Sequence, residues 1–228
     1  MAELGNVLVT GGASGLGAAV ARAVADAGGT PIVLDLRAPD DGFAHELVDL
    51  ADTRAAEAGV ERAAARGGGL DAVVTAAGID MPGRIDSVPA ETWERVVAVN
   101  LLATAAVVRA ALPHLERSGG RVVTVASTLG LRALSDATAY CASKFGVVGF
   151  SRALAAETAG RVGVTCLVPG GMRTSFFDGR DEQYRPGPEA ALQRPDEVAA
   201  AVLFALLRPR GSEVRELVVA PPTEPSWP

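Results

Sequence analysis

The sequence predicts an α/β fold, a doubly wound parallel sheet with helices on both faces, and three observations carry that prediction. Short β-branched runs alternate with longer alanine-rich helical patterns. The strand runs are apolar throughout instead of alternating, as strands covered on both faces are. Each run ends in small or turn residues, and right-handed crossovers between parallel strands then distribute the helices over both faces.

The run "NVLVT" (6–10) is the first strand and leads into a helix at about 15–28. "PIVLDL" (31–36) is the second strand, and a weaker one follows in "AHELVDL" (44–50), then a helix to about Arg66. "LDAVVTAAG" (70–78), "GRVVTVAS" (120–127) and "RVGVTCLVPGG" (161–171) are buried-strand patterns. Helical patterns occupy roughly 90–117, 137–160 and 195–208, and "RELVVA" (215–220) is the last strand. The segment "RAPDDGF" (37–43) is too short for an ordinary crossover helix. Residues 175–193 are polar, rich in Gly and Pro and long for a loop, which makes them a candidate lid. The proline-rich tail 221–228 is barred from helix and central strand because prolines lack the donors. With no internal repeat and no linker, residues 1–228 read as one domain.

Composition narrows the partners. The chain has 228 residues, 49% of them hydrophobic, with 26 glycines and only 4% aromatic residues. A chain of this size buries roughly 70% of its unfolded surface and needs no disulfide or metal to hold it. The net charge of −6, without a Lys/Arg cluster, argues against nucleic acid and anionic membrane. No basic segment precedes an apolar core at the N-terminus, and no run reaches the ~20 apolar residues of a membrane helix. Cys141 and Cys166 are isolated thiols that read as small buried hydrophobes in a reducing cytoplasm. His45 and His114 stand alone, so no metal site is expected.

Two stretches carry chemistry. In "VTGGASGLGAAV" a strand runs into glycines and then a helix, an arrangement that brings backbone close to a pyrophosphate and offers it free N–H groups. Asp35, ending the second strand, strengthens the dinucleotide reading. In "ATAYCASKFGVVGF", Tyr140 and Lys144 lie four residues apart and share one helical face. A nearby ammonium favours phenolate and so lowers the phenol's pKa, which suits acid–base work. Ser127 ends the preceding strand, where active sites of open parallel sheets gather.

With Asn100 in "VVAVNLLAT" added, residues 5–220 resemble the short-chain dehydrogenase/reductase family. The matching pieces are Thr10-Gly-Gly-Ala-Ser-Gly-Leu-Gly17, Asp35, Asp49-Leu50, Thr75-Ala-Ala-Gly78, Asn100, Ser127, Tyr140-x-x-x-Lys144 and Pro169-Gly-Gly-Met-Arg-Thr174. The resemblance implies a single-domain Rossmann-type fold. It implies a catalytic group in which Tyr140 is acid or base and Lys144 lowers its pKa and holds the nicotinamide ribose. Ser127 would orient the carbonyl or hydroxyl, and Asn100 would hold a water between Lys144 and solvent. It also implies cofactor contacts from the loop of Gly11, Ser14, Gly15, Leu16 and Gly17, and from Asp35, Asp49 and Leu50. Further contacts would come from Ala76, Ala77, Gly78, Pro169, Gly170, Met172 and Thr174. Three departures stand out: Thr75 replaces the usual asparagine, the helix between the second and third strands is nearly absent, and the tail ends in prolines in place of a glycine pair.

The expected activity is hydride transfer between a nicotinamide cofactor and a small-molecule secondary alcohol or ketone. The alternatives are a non-catalytic dinucleotide-binding regulatory protein, or an NADPH-dependent ketoreductase. Asp35 argues for NAD because a carboxylate accepts from a ribose diol and repels a 2′-phosphate. Arg37 is the counter-evidence, countered in turn by expected pairing with Asp40 or Asp41. Leu129, Leu131, Leu134, Phe176 and Phe177 suggest a mainly apolar substrate pocket, with Arg132 and Arg173 as solvated charges or anion contacts. Apolar helix faces in 101–112 and 145–157 point to a homodimer or homotetramer.

Overall fold

Strand formation follows the apolar runs closely. The computed structural model describes residues 4–226 and contains β1 (Asn6–Thr10), β2 (Thr30–Asp35), β3 (Ala44–Leu47), β4 (Ala72–Thr75), β5 (Arg121–Val125), β6 (Gly163–Pro169) and β7 (Glu216–Val219). All neighbours are parallel, in the order β3-β2-β1-β4-β5-β6-β7. The order reverses between β1 and β4, which opens a crevice at their carboxyl ends.

Six α-helices flank the sheet: α1 (Gly15–Asp26), α2 (Thr53–Gly67), α3 (Ala90–Val97), α4 (Ala103–Ser118), α5 (Thr138–Glu157) and α6 (Pro195–Leu206). Alternation along the strands divides the core. Val7, Val9, Val74 and Val123 face α1 and α6, whereas Leu8, Ile32, Val73 and Val122 face α2 and α4. Burying each such side chain stabilises the fold by about 1.5–3 kcal/mol. The start of α2 is fixed locally, where the Asp52 carboxylate accepts from the N–H groups of Arg54 and Ala55.

Several details differ from the sequence expectations. The 90–117 helix is interrupted by a π-helical turn at Ala98–Leu102, which carries Asn100. The strand expected over 44–50 ends at Leu47, because the Asp49 carboxylate accepts from the Ala51 N–H (2.9 Å) and turns the chain. The 36–43 connection has no helix, and 221–226 has neither helix nor strand, both as anticipated. One helical stretch, Ala90–Ser118, is long and apolar enough by composition to cross a bilayer, contrary to expectation. Half of its most apolar window is buried, and Val107, Ala111 and Leu115 pack fully into the core, so its apolarity is that of a core helix.

The tail is anchored by polar groups. The Gly171 N–H donates to the Glu224 carboxylate (2.8 Å), and the hydroxyls of Thr128 and Ser226 share a hydrogen bond (2.7 Å). Arg132, read from sequence as a solvated charge or anion contact, donates to the Pro225 carbonyl (3.3 Å).

Candidate active site

The loop from β1 to α1 is shaped by what cannot fit there. Gly11 has a left-handed backbone (φ +70°), and a Cβ on it would stand 2.8 Å from the Ala77 Cα. A Cβ on Gly17 would collide with the Gly11 carbonyl, 2.6 Å from its carbon. Ser14 precedes α1, but its hydroxyl makes no capping bond, so the first-turn N–H groups are left to donate elsewhere. The Thr10 hydroxyl accepts from the Ala77 N–H (3.1 Å), joining this loop to the Ala76–Gly78 segment after β4. Asp35 is fixed beside the loop, its carboxylate accepting from Ala13 (3.0 Å) and Arg37 (3.1 Å) N–H groups. A glycine cradle, free helix N–H groups and an adjacent carboxylate fit a nicotinamide dinucleotide.

The expected pairing of Arg37 is overturned. Asp41 instead pairs with Arg22 (3.0 Å), and Arg37 has no ion-pair partner among the described residues. Asp49, near the same end of the sheet, pairs with Arg95 (3.2 Å), while Leu50 is buried. The Ala51 N–H and the Arg95 guanidinium hold the Asp49 carboxyl below its usual range.

The catalytic candidates converge from three elements. Ser127 lies two residues beyond β5, accepts from the Leu129 N–H (3.1 Å), and stands near enough to the Tyr140 phenol to oppose the rise in its pKa. Gly130 allows this turn to lie against α5, since a Cβ there would stand 2.7 Å from the Lys144 carbonyl oxygen. Lys144 is buried, donates to the Val125 carbonyl (2.8 Å), and holds its Nζ 5.6 Å from the Tyr140 ring centroid. Asn100 accepts from the Ile79 N–H (2.8 Å) and donates to the Ile79 carbonyl (2.9 Å) and the Ser143 hydroxyl (3.1 Å). The π turn aims it there. A Cβ on Gly78 would lie 3.6 Å from both Asn100 Oδ1 and Lys144 Nζ, so the three meet at one point.

Electrostatics differ from the expectation that Lys144 lowers the phenol. Burial pushes Tyr140 up to about 12, against the opposing influence of the Ser127 hydroxyl, and burial brings Lys144 down to about 8. Lys144 donates a hydrogen bond to the Val125 carbonyl, and the low-dielectric surroundings govern both groups. The phenol therefore holds its proton at neutral pH.

The segment after β6 runs beside this group. Pro169 ends β6, and the Gly170 N–H donates to the Val219 carbonyl (2.9 Å). Met172 forms an isolated bridge with Gln193, and Thr174 starts a 3₁₀ turn, its hydroxyl accepting from the Phe176 N–H (3.3 Å). Arg173, the other arginine weighed as an anion contact, lines a cavity of about 530 Å³ together with Thr174 and Phe177. Phe176 lies 5.6 Å from the Tyr140 ring, centroid to centroid, and Tyr184 donates to Asp136 (3.2 Å).

The mainly apolar pocket is the expectation most in need of correction. Arg180 stacks over Phe176 and Phe177 and stands 3.2 Å from the Asp80 carboxylate. This charged pair was absent from the sequence reading. Asp80 follows the apolar "TAAGI" and Arg180 lies in the polar 175–193 segment, a hundred positions apart, and only Asp80's nearness to the motif Gly78 and Arg180's place in that segment offered a signal. Leu134, by contrast, is half exposed.

Comparison with known proteins agrees with this geometry. Residues 5–185 match the family model for short chain dehydrogenases. A D-threitol dehydrogenase of Mycolicibacterium smegmatis is 36% identical over 217 residues, covering 86% of this chain and 84% of that protein. The ligand-free aldohexose dehydrogenase of Thermoplasma acidophilum superposes with a TM-score of 0.84 at 25% identity, over 94% of this chain and 92% of that one. A short chain dehydrogenase from Burkholderia cenocepacia in complex with NADP gives 0.82 at 27% identity, over 96% and 98%. With a dinucleotide cradle at the switch point of the sheet and a matching family model, this chain belongs to the short-chain dehydrogenases, nicotinamide-dependent oxidoreductases of alcohols and ketones.

Proposed function

We propose that the chain is a single dinucleotide-binding and catalytic domain, working in the cytoplasm, that interconverts a small secondary alcohol and its ketone with NAD(H). The observation that carries this reading is the Tyr140 phenol beside Ser127, with Lys144 5.6 Å from its ring, at the crevice edge. Tyr140 gives its proton to the substrate oxygen in reduction and takes it back in oxidation. Ser127 orients that oxygen. The Lys144 ammonium stabilises the phenoxide as the proton leaves, and Asn100 fixes the Gly78–Ile79 backbone and holds a water toward Lys144. When bound, the nicotinamide supplies the hydride donor or acceptor.

The cofactor is held by the 11–17 loop, Asp35, Asp49–Leu50, Ala76–Gly78, Lys144 and the 169–174 segment, with 175–193 acting as the lid. Asp35 supports NAD through a fixed carboxylate that would oppose a 2′-phosphate. The unpaired Arg37 favours a second reading, NADPH-dependent ketone reduction, and the NADP bound by the Burkholderia relative supports it. Specificity constants decide: a tenfold NADPH preference rejects the NAD reading. Buried free thiols at Cys141 and Cys166 support a reducing compartment.

Tyr140→Phe tests the central assignment. It removes the proton and keeps the ring, so turnover falls at least ~100-fold while NADH affinity changes little. A near-normal rate would show that another group is the acid.

A further inference from the structure

We propose that Asp80 and Arg180 form a polar clamp that selects substrates bearing a second hydroxyl beside the reacting carbinol carbon, that is, vicinal diols and longer polyols. The proposal rests on the alcohol–ketone chemistry assigned to Tyr140 and names the substrate class for that site.

The pair is built into the catalytic crevice. Its charges act on the Tyr140 phenol, and Phe176 bridges them to it, 5.6 Å from the tyrosine ring and 4.5 Å beneath the guanidinium. Only 9% of the Arg180 side chain and 6% of the Asp80 side chain are exposed. The two groups stand 3.2 Å apart, yet Arg180 Nε and Nη2 and Asp80 Oδ1 have no hydrogen-bond partner among the described residues. Buried charged groups left so are costly unless a ligand completes them.

The vacant positions define that ligand. The pair is net neutral, with spare donors on the arginine and a spare acceptor on the aspartate. A hydroxyl both donates and accepts, so the one beside the reacting carbinol can donate to Asp80 Oδ1 and accept from Arg180. A substrate carboxylate would satisfy Arg180 but bring a second anion against Asp80 and leave Oδ1 without a donor. A plain alkanol satisfies neither.

Three substrates on one four-carbon skeleton test this: 2,3-butanediol, 2-butanol and 3-hydroxybutyrate, each with saturating cofactor. The expected kcat/KM for the diol exceeds both others at least ~10-fold, and Asp80→Ala/Arg180→Ala brings the diol-to-butanol ratio below about 3. Tyr140-dependent turnover with 2-butanol matching the diol overturns the clamp and leaves the alcohol–ketone reading standing. A tenfold preference for 3-hydroxybutyrate also overturns it, in favour of an arginine that reads carboxylates. Failure of every alcohol and ketone on a wider panel rejects the reading of Tyr140. Binding then judges the clamp alone: thermal stabilisation of the Tyr140→Phe protein by the diol and not by 2-butanol, lost on adding the double substitution, supports it. Equal stabilisation, or none, rejects it.

Discussion

Replacing Gly17 with alanine puts the cofactor cradle to a quantitative test. In an ordinary helix the change would be favourable by ~1 kcal/mol. Here the new Cβ meets the Gly11 carbonyl and stands 3.0 Å from the Gly12 nitrogen, and backbone cannot rotate aside as a side chain can. Retreat of the loop is blocked as well. Even a Cβ on Gly11 would stand 2.8 Å from the Ala77 Cα, and one on Gly12 would stand 2.7 Å from a Val33 methyl, so the loop has no room to retreat on those sides. Overpacking of this kind costs ~1–3 kcal/mol, and the rigid surroundings put Gly17→Ala at the upper end, a net loss of about 2 kcal/mol. In a chain of this length the melting temperature should fall by about 4–8 °C. Relief by tilting the start of α1 would misdirect the N–H groups, weakening NADH binding ~10- to 100-fold through one or two lost charge-assisted bonds. Differential scanning fluorimetry and NADH fluorescence titration read both effects. An unchanged melting temperature with a Kd within twofold of wild type would refute the cradle as the reason for this glycine.

Three further outcomes are expected. Lys144→Met should abolish activity while raising stability at pH 7: burial lowers the lysine pKa from 10.5 to about 8, so between those values the unfolded chain binds more protons and the wild type gains stability. The variant's advantage should therefore shrink from pH 8 to 10.5, and a constant difference in melting temperature would contradict this. Thr75→Val should add about 1 kcal/mol, because the Thr75 hydroxyl is buried without a partner among the described residues; chemical denaturation showing a loss would reject that reading. Leu102 and Phe145 remain 49% and 45% exposed on neighbouring elements, so glutamate at both should convert an oligomer to monomer in light scattering, whereas a wild-type monomer of 23.2 kDa would dismiss the interface.

Much of the architecture was legible because strand burial on two faces leaves unbroken apolar runs: six of the seven described strands lie within the runs expected of them, and β2 begins one residue early, at Thr30. Tyr140, Lys144 and Ser127 were legible from local spacing combined with strand ends. The π turn at Asn100 was not, since "AVNLLATAAVV" is apolar on every side and gives no periodicity from which a change of pitch can be read. Nor was the Asp80–Arg180 pair, because the contact depends on how the 175–193 segment folds back rather than on any spacing. Arg37 was misjudged because Arg22, on α1 and distant in sequence, pairs with Asp41. The phenol's high pKa also escaped the sequence, since burial is a property of the assembled site.

The docking of residues 224–226 separates the integrity of the fold from the order of the site. All seven described strands lie before residue 220, so the sheet does not depend on these ties. The loops that follow β5 and β6 are tied instead to Ser226 and Glu224. Release of 224–226 would thus leave the sheet folded, with the turn beside Ser127 and the loop at Gly171 unpinned. Small lesions in these residues would yield intact but idle molecules.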